Sequence, residues 1–243
     1  MPYSILYSAR SEIGPHRSNN EDACLADLES GFCLVADGMG GEAAGEIASR
    51  LFTEAVMEIF QNAKDRNEAI VMDRVQEAFR LANRMVREYA MHNPEDRGLG
   101  CTAELLAFSD SGFVLGHMGD SRTYRFRNHR LNQLTRDHSL VQRQLDSGLI
   151  PPENVRTHPL RNVITRAVGI DDEISLDLLR GPINLEDLFL LCSDGLTDLV
   201  DDNRIAAIID LDTSLDQKVN ALVDASLKAG GYDNVTVVLL AVR

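Results

Sequence analysis

The chain has 243 residues, of which 44% are hydrophobic and 26% are charged, and its formal net charge is −14. This is ordinary globular composition, and a chain of this length buries a substantial core without cross-links. Such an acidic chain, with a pI of about 4.8, is a poor candidate for binding nucleic acid or anionic membranes. The four cysteines form no C-x-x-C pair, which argues against a zinc site.

The beginning of the sequence indicates in which cellular compartment the protein is expected. Residues 1–4 show no basic segment followed by an apolar one, and no uncharged apolar stretch approaches the roughly 20 residues that span a bilayer. We therefore expect neither a signal peptide nor a membrane segment, and the cytoplasm is the expected location. A monomer is the default expectation for the oligomeric state.

The first half of the chain predicts strands followed by long helices. Residues 4–9 and 32–36 are apolar enough for strands, and a polar loop over residues 14–22 lies between them. Apolar residues then recur at spacings of three and four over residues 43–63 and 67–91, which predicts two amphipathic helices.

The second half predicts antiparallel sheet, because short strand-forming runs are separated by turn signals. The predicted elements are strands over 101–108, 113–118, 122–127, 188–193 and 235–242, a helix over 139–147, and a helix with a capping box at 214–217 that ends at 230–231. Prolines bound an irregular excursion over 150–159. Strands and helices do not alternate regularly, so an α+β fold with helices outside antiparallel sheets is favoured over a parallel sheet.

Acidic residues stand at the ends of several apolar runs. Two runs end in the same dipeptide, Asp37-Gly38 and Asp194-Gly195, while Asp120 ends a third run and Asp233 precedes the last strand. Each pair taken singly is more often a turn. A set of carboxylates that converge at strand ends would suit Mg²⁺ or Mn²⁺ rather than zinc or copper.

Six segments in order resemble the metal-dependent serine/threonine protein phosphatases of the type 2C family, in their compact bacterial form. They are GPHRSNNED at 14–22, VADGMGG at 35–41, GDSR at 119–122, LTRDHS at 134–139, CSDGL at 192–196 and DNVT at 233–236. Each segment is weak evidence alone, whereas six in family order are highly specific. The resemblance implies one catalytic domain over residues 1–243, folded as a four-layer α-β-β-α sandwich, with a flap around residues 145–170.

The resemblance also implies a centre of two Mn²⁺ or Mg²⁺ ions. Asp37 would bridge both ions, the Gly38 carbonyl would bind one, and Asp194 and Asp233 would bind the other. Asp120 matches the residue that helps to hold a third, weaker ion in bacterial members, together with Asp194.

Other residues would act on water and substrate. Glu21 and Asp22 would act mainly through waters on the ions, with Asp22 orienting the attacking water. Arg17 would bind the substrate phosphate through its planar fork, although a surface arginine of this kind also pairs readily with an acid. Arg161, in the flap, would help to dock the phosphopeptide.

The general acid is the part of the site that departs from the family pattern. Met39 stands where animal relatives have a candidate histidine, and Glu42 stands where bacterial relatives usually have one. A metal-bound water near Asp120, or Glu42 itself with a raised pKa, would have to protonate the leaving oxygen. Glu42 also suits an exposed first turn of a helix, where it favours the helix dipole.

The implied function is the direct hydrolysis of phosphoserine and phosphothreonine by water, without a covalent enzyme intermediate. The implied partners are phosphorylated proteins, including a serine/threonine kinase or its substrates. Two alternatives stay open: a metal-binding pseudophosphatase that acts as a sensor or scaffold, and a phosphatase dedicated to one small anti-sigma-type partner.

Overall fold

The computed structural model describes residues 4–243, apart from the side chains of residues 41–43. The strands are β1 (Ile5–Glu12), β2 (Asp22–Asp27), β3 (Phe32–Met39), β4 (Gly100–Cys101), β5 (Ala103–Phe108), β6 (Phe113–Met118), β7 (Arg122–Arg127), β8 (Arg130–Gln133), β9 (Asp177–Gly181), β10 (Leu188–Cys192) and β11 (Val235–Val242). The helices are α1 (Gly41–Phe60), α2 (Glu68–His92), α3 (Leu140–Asp146), α4 (Asp194–Thr197), α5 (Asp202–Ile209) and α6 (Leu215–Lys228).

The strands form two antiparallel sheets. One sheet has the order β1-β11-β10-β7-β8, and the other has the order β2-β3-β5-β6-β9 with β4 beside β3. All of these strand pairings are antiparallel. The predicted α+β class with antiparallel sheets is therefore confirmed.

Three separate clusters of buried apolar residues show how the helices and the two sheets are layered. Helices α1 and α2 pack on the β3–β5 sheet, helices α4, α5 and α6 pack on the β10–β11 sheet, and a third cluster lies between the two sheets. Alternate residues of a strand point to opposite faces, so Leu34 packs under the helices whereas Val35 packs between the sheets. In the other sheet Leu190 faces the helices and Leu191 faces the first sheet. The four-layer α-β-β-α sandwich is confirmed.

Several elements match the predicted ones, and others do not. The capping box of α6 is present, with Ser214 accepting from the backbone of Gln217 and the Gln217 side chain accepting in return. β3 runs three residues beyond its predicted end, because Gly38 and Met39 pair with β4. The sequence prediction omitted β2, β8, β9, α4 and α5, which are short or weakly patterned.

The region between α3 and β9 carries little regular structure. Within residues 147–176, all of which are described, one short 3₁₀ turn forms at Pro152–Asn154, and single bridges join Ile164 to Ser139 and Val168 to Cys101. The division into one domain with a flap at 145–170 stays a prediction. Among the described helices, none combines the length and apolarity that a bilayer span requires.

Candidate metal centre

The acidic residues that the sequence predicts as metal ligands lie together at one edge of the apolar layer between the two sheets. Asp37 continues the alternation of Cys33 and Val35, so its side chain falls on the same side of β3 as that inner layer. Asp22 lies directly opposite Asp37 in the β2–β3 pair. From the other sheet, the Ser193 hydroxyl donates a 2.8 Å hydrogen bond to Asp22 Oδ2. The two sheets are thus joined at the point where both turn from apolar to acidic.

A cavity of about 590 Å³ opens at this end of the sandwich. Seven of the residues singled out from the sequence line it, namely Arg17, Glu21, Asp37, Gly38, Asp120, Asp194 and Asp233. Parts of the wall are completed by His16 and Met39 and, from the region between α3 and β9, by Asn162 and Ile164. Five of the six sequence motifs, all except the segment at 134–139, therefore contribute to one cavity.

Glycines allow the backbone to close up around the acids. A Cβ on Gly38 would overlap the carbonyl oxygen of Gly45 in α1 and lie 2.7 Å from that of Glu21. A Cβ on Gly195 would overlap the carbonyl oxygen of Asn234. The glycine after each strand-end aspartate is thus required by the packing of the segments beside it.

Asn234 ties two segments of the site together. Its side-chain oxygen accepts from the backbone N–H of Glu21 at 2.9 Å, and its Nδ2 donates to the carbonyls of Ile13 and Asn19, each at 2.9 Å. Asn234 is buried, so these bonds are shielded from water. The loop that carries Arg17 and Glu21 is thereby fixed against the start of β11.

Burial and mutual repulsion raise the pKa values of the clustered carboxyls. Burial is the largest cause in each case; it raises the pKa of Asp22 to about 6 and that of Asp120 to about 7. The pKa values of Asp37 and Asp194 lie well above the ordinary range, because the neighbouring acids add their charge to the effect of burial. Positive charge in the cavity would therefore favour the ionised form of these groups.

Unsatisfied oxygens indicate what would supply that charge. Three carboxylate oxygens are buried and accept no hydrogen bond, namely the Oδ1 atoms of Asp22, Asp120 and Asp194. Such atoms are rare in folded proteins, and carboxylate oxygens are the ligands that Mg²⁺ and Mn²⁺ prefer. In the described part of the chain no three His, Cys, Asp or Glu side chains already close around one point, so these acids form a cavity wall rather than a finished coordination shell. The donor set fits hard divalent cations.

Arg17 is the cation that the chain itself brings to this cavity. Its Nη2 lies 2.6 Å from Asp233 Oδ2, and the other oxygen of that carboxylate accepts from the backbone N–H of Asn234 at 2.8 Å. The guanidinium is exposed on its other side. Arg17 therefore stands beside a predicted metal ligand with donors still free for an anion.

The chain matches the sequence model of the family Protein phosphatase 2C over residues 16–230. The chain belongs to this family. It is 36% identical to the serine/threonine protein phosphatase PstP of Mycobacterium tuberculosis over 97% of its own length, and it spans 44% of that relative. It is 35% identical to the protein phosphatase PhpP of Streptococcus pneumoniae, with 97% of both chains covered. The solved catalytic domain of PstP, a structure in complex with two manganese ions, superposes with a TM-score of 0.88 at 34% identity over 98% of both chains.

Membership of the phosphatase 2C family confirms the predicted resemblance, but the roles of individual residues stay predictions. Arg161 does not line the cavity; its Nε lies 3.6 Å from Asp198 Oδ2 at the end of α4. The side chain of Glu42 lies outside the described residues. Met39 lies in the cavity wall.

Asp198 is a functional candidate that the sequence analysis missed. Its charge contributes to the raised pKa values of both Asp120 and Asp194. It follows Asp194 by four residues, so one helical turn places the two acids on the same side of α4. That spacing was the signal available in the sequence, but it predicts a contact only once the short helix α4 is known.

A second feature that the sequence analysis did not identify is a set of buried side chains that supports the turn carrying Asp120. His117 and Glu104 form a completely buried pair through Nδ1 and Oε1, and His117 Nε2 bonds to the carbonyl of Arg136 at 2.9 Å. The His117 ring lies 4.5 Å from that of His138, whose Nδ1 accepts from the backbone N–H of Gly119 at 3.2 Å. The turn that presents Asp120 thus rests on two histidines.

Proposed function

We propose that this protein is a metal-dependent serine/threonine protein phosphatase. The observation that carries the proposal is the group of aspartates with buried, unsatisfied oxygens, placed beside an arginine at one end of the inter-sheet layer. Membership of the phosphatase 2C family supports it, and so do relatives that are named serine/threonine phosphatases.

Asp37, the Gly38 carbonyl, Asp194 and Asp233 would hold two Mn²⁺ or Mg²⁺ ions, and Asp37 would be the ligand that both ions share. Asp120 and Asp194 would hold a third, weaker ion. When bound, the ions supply an activated water and the positive charge that stabilises the phosphate oxygens during in-line displacement. The two manganese ions of the PstP catalytic domain support a site for two such ions.

The chain's own residues would orient the reactants. Asp22 is held by the Ser193 hydroxyl through Oδ2, which leaves Oδ1 free to accept a proton from the attacking water. Glu21, in the loop directly before β2, would fix a second water by the same means. Arg17 would share its donors between Asp233 and two oxygens of the phosphate. No side-chain nucleophile is needed, and the product forms without a covalent enzyme intermediate.

The leaving seryl or threonyl oxygen must gain a proton. We assign this role to Glu42 or to a water beside Asp120, because Met39 offers no proton. Arg161 would help to dock the phosphopeptide once it is released from Asp198, because Asp198 is close enough for its charge to act on Asp120 and Asp194.

The natural substrates would be phosphorylated proteins, including a serine/threonine kinase or the proteins that it phosphorylates. The cytoplasm is the proposed location, where such kinases act on soluble targets. The acidic surface suits protein substrates better than nucleic acid.

The test is the release of phosphate from a phosphothreonine peptide, measured with and without Mn²⁺. We expect turnover that EDTA abolishes and that Asp37→Ala lowers by at least about a thousandfold, on the scale of losing metal catalysis. Asp224→Ala removes a surface aspartate that pairs with Arg10 and serves as the matched control. A folded, Mn²⁺-saturated protein without turnover would contradict the proposal and favour the pseudophosphatase alternative.

A further inference from the structure

A stacked aromatic pair stands at the rim of the cavity. The rings of His16 and Tyr232 have their centroids 5.3 Å apart and their planes inclined by 24°. His16 lines the cavity, and Tyr232 is 64% exposed. Tyrosine offers a large, rigid contact area at little entropic cost, which is why it is common in binding surfaces. Tyr232 therefore presents unused contact area next to the proposed phosphate site.

The local backbone fixes this pair in place. His16 belongs to the loop after β1 and Tyr232 to the loop before β11. Gly14 has φ +78°, and a Cβ there would lie 2.7 Å from the carbonyl oxygen of Asp233, so only glycine lets the two loops approach so closely. The same two loops are joined one residue further along by the ion pair of Arg17 with Asp233. The aromatic pair and the phosphate-binding arginine are adjacent links between the same segments.

The charge of the cavity indicates which side chain would use the aromatic surface. Among the described lining residues there are five carboxylates and one arginine. Two divalent ions would offset the resulting surplus of four negative charges, and a bound phosphate dianion would then make the site negative again. A basic side chain close to the phosphorylated residue would offset that charge. The exposed face of a tyrosine attracts such a cation through its ring quadrupole.

We infer that the His16–Tyr232 pair determines substrate specificity by holding a lysine or arginine that lies within two positions of the phosphorylated residue. His16 supports the ring of Tyr232, and Tyr232 makes the contact. This inference rests on the proposed phosphatase activity and adds to it a preference for substrates with a basic residue near the phosphorylated one.

The experiment compares phosphothreonine peptides that carry one arginine, at each position up to two residues from the phosphothreonine, with an all-alanine peptide. For wild-type protein with Mn²⁺, the best arginine peptide should exceed the alanine peptide in kcat/KM by about fivefold. Tyr232→Ala should bring this ratio to about one through a higher KM, whereas Tyr232→Phe, which keeps the ring, should retain it. Tyr7→Ala removes an exposed tyrosine of β1 that does not line the cavity and is the control.

Each outcome separates the two proposals. If wild-type protein hydrolyses the peptides without preferring arginine, or if Tyr232→Ala keeps the preference, the specificity inference is overturned and the phosphatase proposal stands. If wild-type protein hydrolyses none of the peptides, the phosphatase proposal fails and the inference fails with it.

Discussion

Asp22 and Asp37 occupy directly opposite positions on β2 and β3. Like charges opposite each other weaken a strand pair, and here both residues are partly buried and the charge of Asp194 acts on Asp37 as well. The fold therefore holds acids together at a cost in stability that protons or metal ions can relieve. Protons and metal ions should therefore compete for these carboxylates.

The stability of the metal-free protein should fall as the pH rises from 5 to 8. The folded-state pKa of Asp120 is raised to about 7, so its contribution is fully present below the unfolded pKa near 4 and is lost as the pH rises through 7. In EDTA, the unfolding free energy of wild-type protein relative to Asp120→Asn should drop by about 2 kcal/mol over this range. Urea unfolding of both proteins at pH 5 and at pH 8 measures this change in the unfolding free energy.

Saturating Mn²⁺ provides the control for that experiment. Because bound cations favour the ionised carboxylates, the loss of stability between pH 5 and pH 8 should disappear when Mn²⁺ is present. An Asp120→Asn variant that keeps the full pH dependence of the wild type in EDTA would count against a raised pKa at Asp120.

Arg17→Ala should raise KM by about tenfold or more and lower kcat less, because a charge-assisted bond to ground-state phosphate is lost. Arg10→Ala is the matched control, since Arg10 pairs with Asp224 on the surface. Steady-state kinetics on one phosphopeptide would distinguish the outcomes. A fall in kcat at constant KM would show instead that Arg17 acts mainly in the transition state.

Gly38→Ala should destabilise the protein by about 2 kcal/mol, because the new methyl group would overlap the Gly45 carbonyl. Gly98→Asn is the control; a Cβ at Gly98 meets no atom within 4 Å, and asparagine tolerates its positive φ of +89°. Thermal unfolding of both variants measures the difference. Equal melting temperatures would mean that α1 can move away from β3 freely.

The buried pair of Glu104 and His117 should make stability depend on alkaline pH. Glu104 holds the pKa of His117 at about 9 in spite of burial, so the stabilisation is complete below the unfolded pKa near 6.5 and is lost as the pH rises through 9. Glu104→Gln should cost about 3 kcal/mol at pH 6. It should also flatten the decline in unfolding free energy between pH 6.5 and pH 9.5. A decline as steep as that of the wild type would refute the ion pair.

The sequence was sufficient for the long, strongly patterned elements. The helix predicted over 67–91 forms as α2 at Glu68–His92, because a continuous apolar face repeats through it. The strand β2 was missed, because Asp22–Asp27 is half-buried throughout and shows no clear alternation. Its position is set by pairing with β3, which local sequence does not encode.

The acidic residues of the site could be predicted from the sequence, but the side chains that hold them in position could not. Aspartates at strand ends and the order of the six motifs indicated which acids meet. The support of Asp120 by His117 and Glu104 depends on strands from both sheets, since Thr123 of β7 also donates to Glu104. The stack of His16 on Tyr232 joins residues 216 positions apart, and no periodicity in the sequence links them.

We propose that one aspartate, Asp37, holds both metal ions. Isothermal titration of Mn²⁺ into wild-type protein and into Asp37→Ala, with folding checked by circular dichroism, tests it most directly. We predict two tight Mn²⁺ ions in the wild type and none in Asp37→Ala, while Asp194→Asn keeps weak binding without turnover. Two Mn²⁺ ions bound with unchanged affinity in Asp37→Ala would contradict the account.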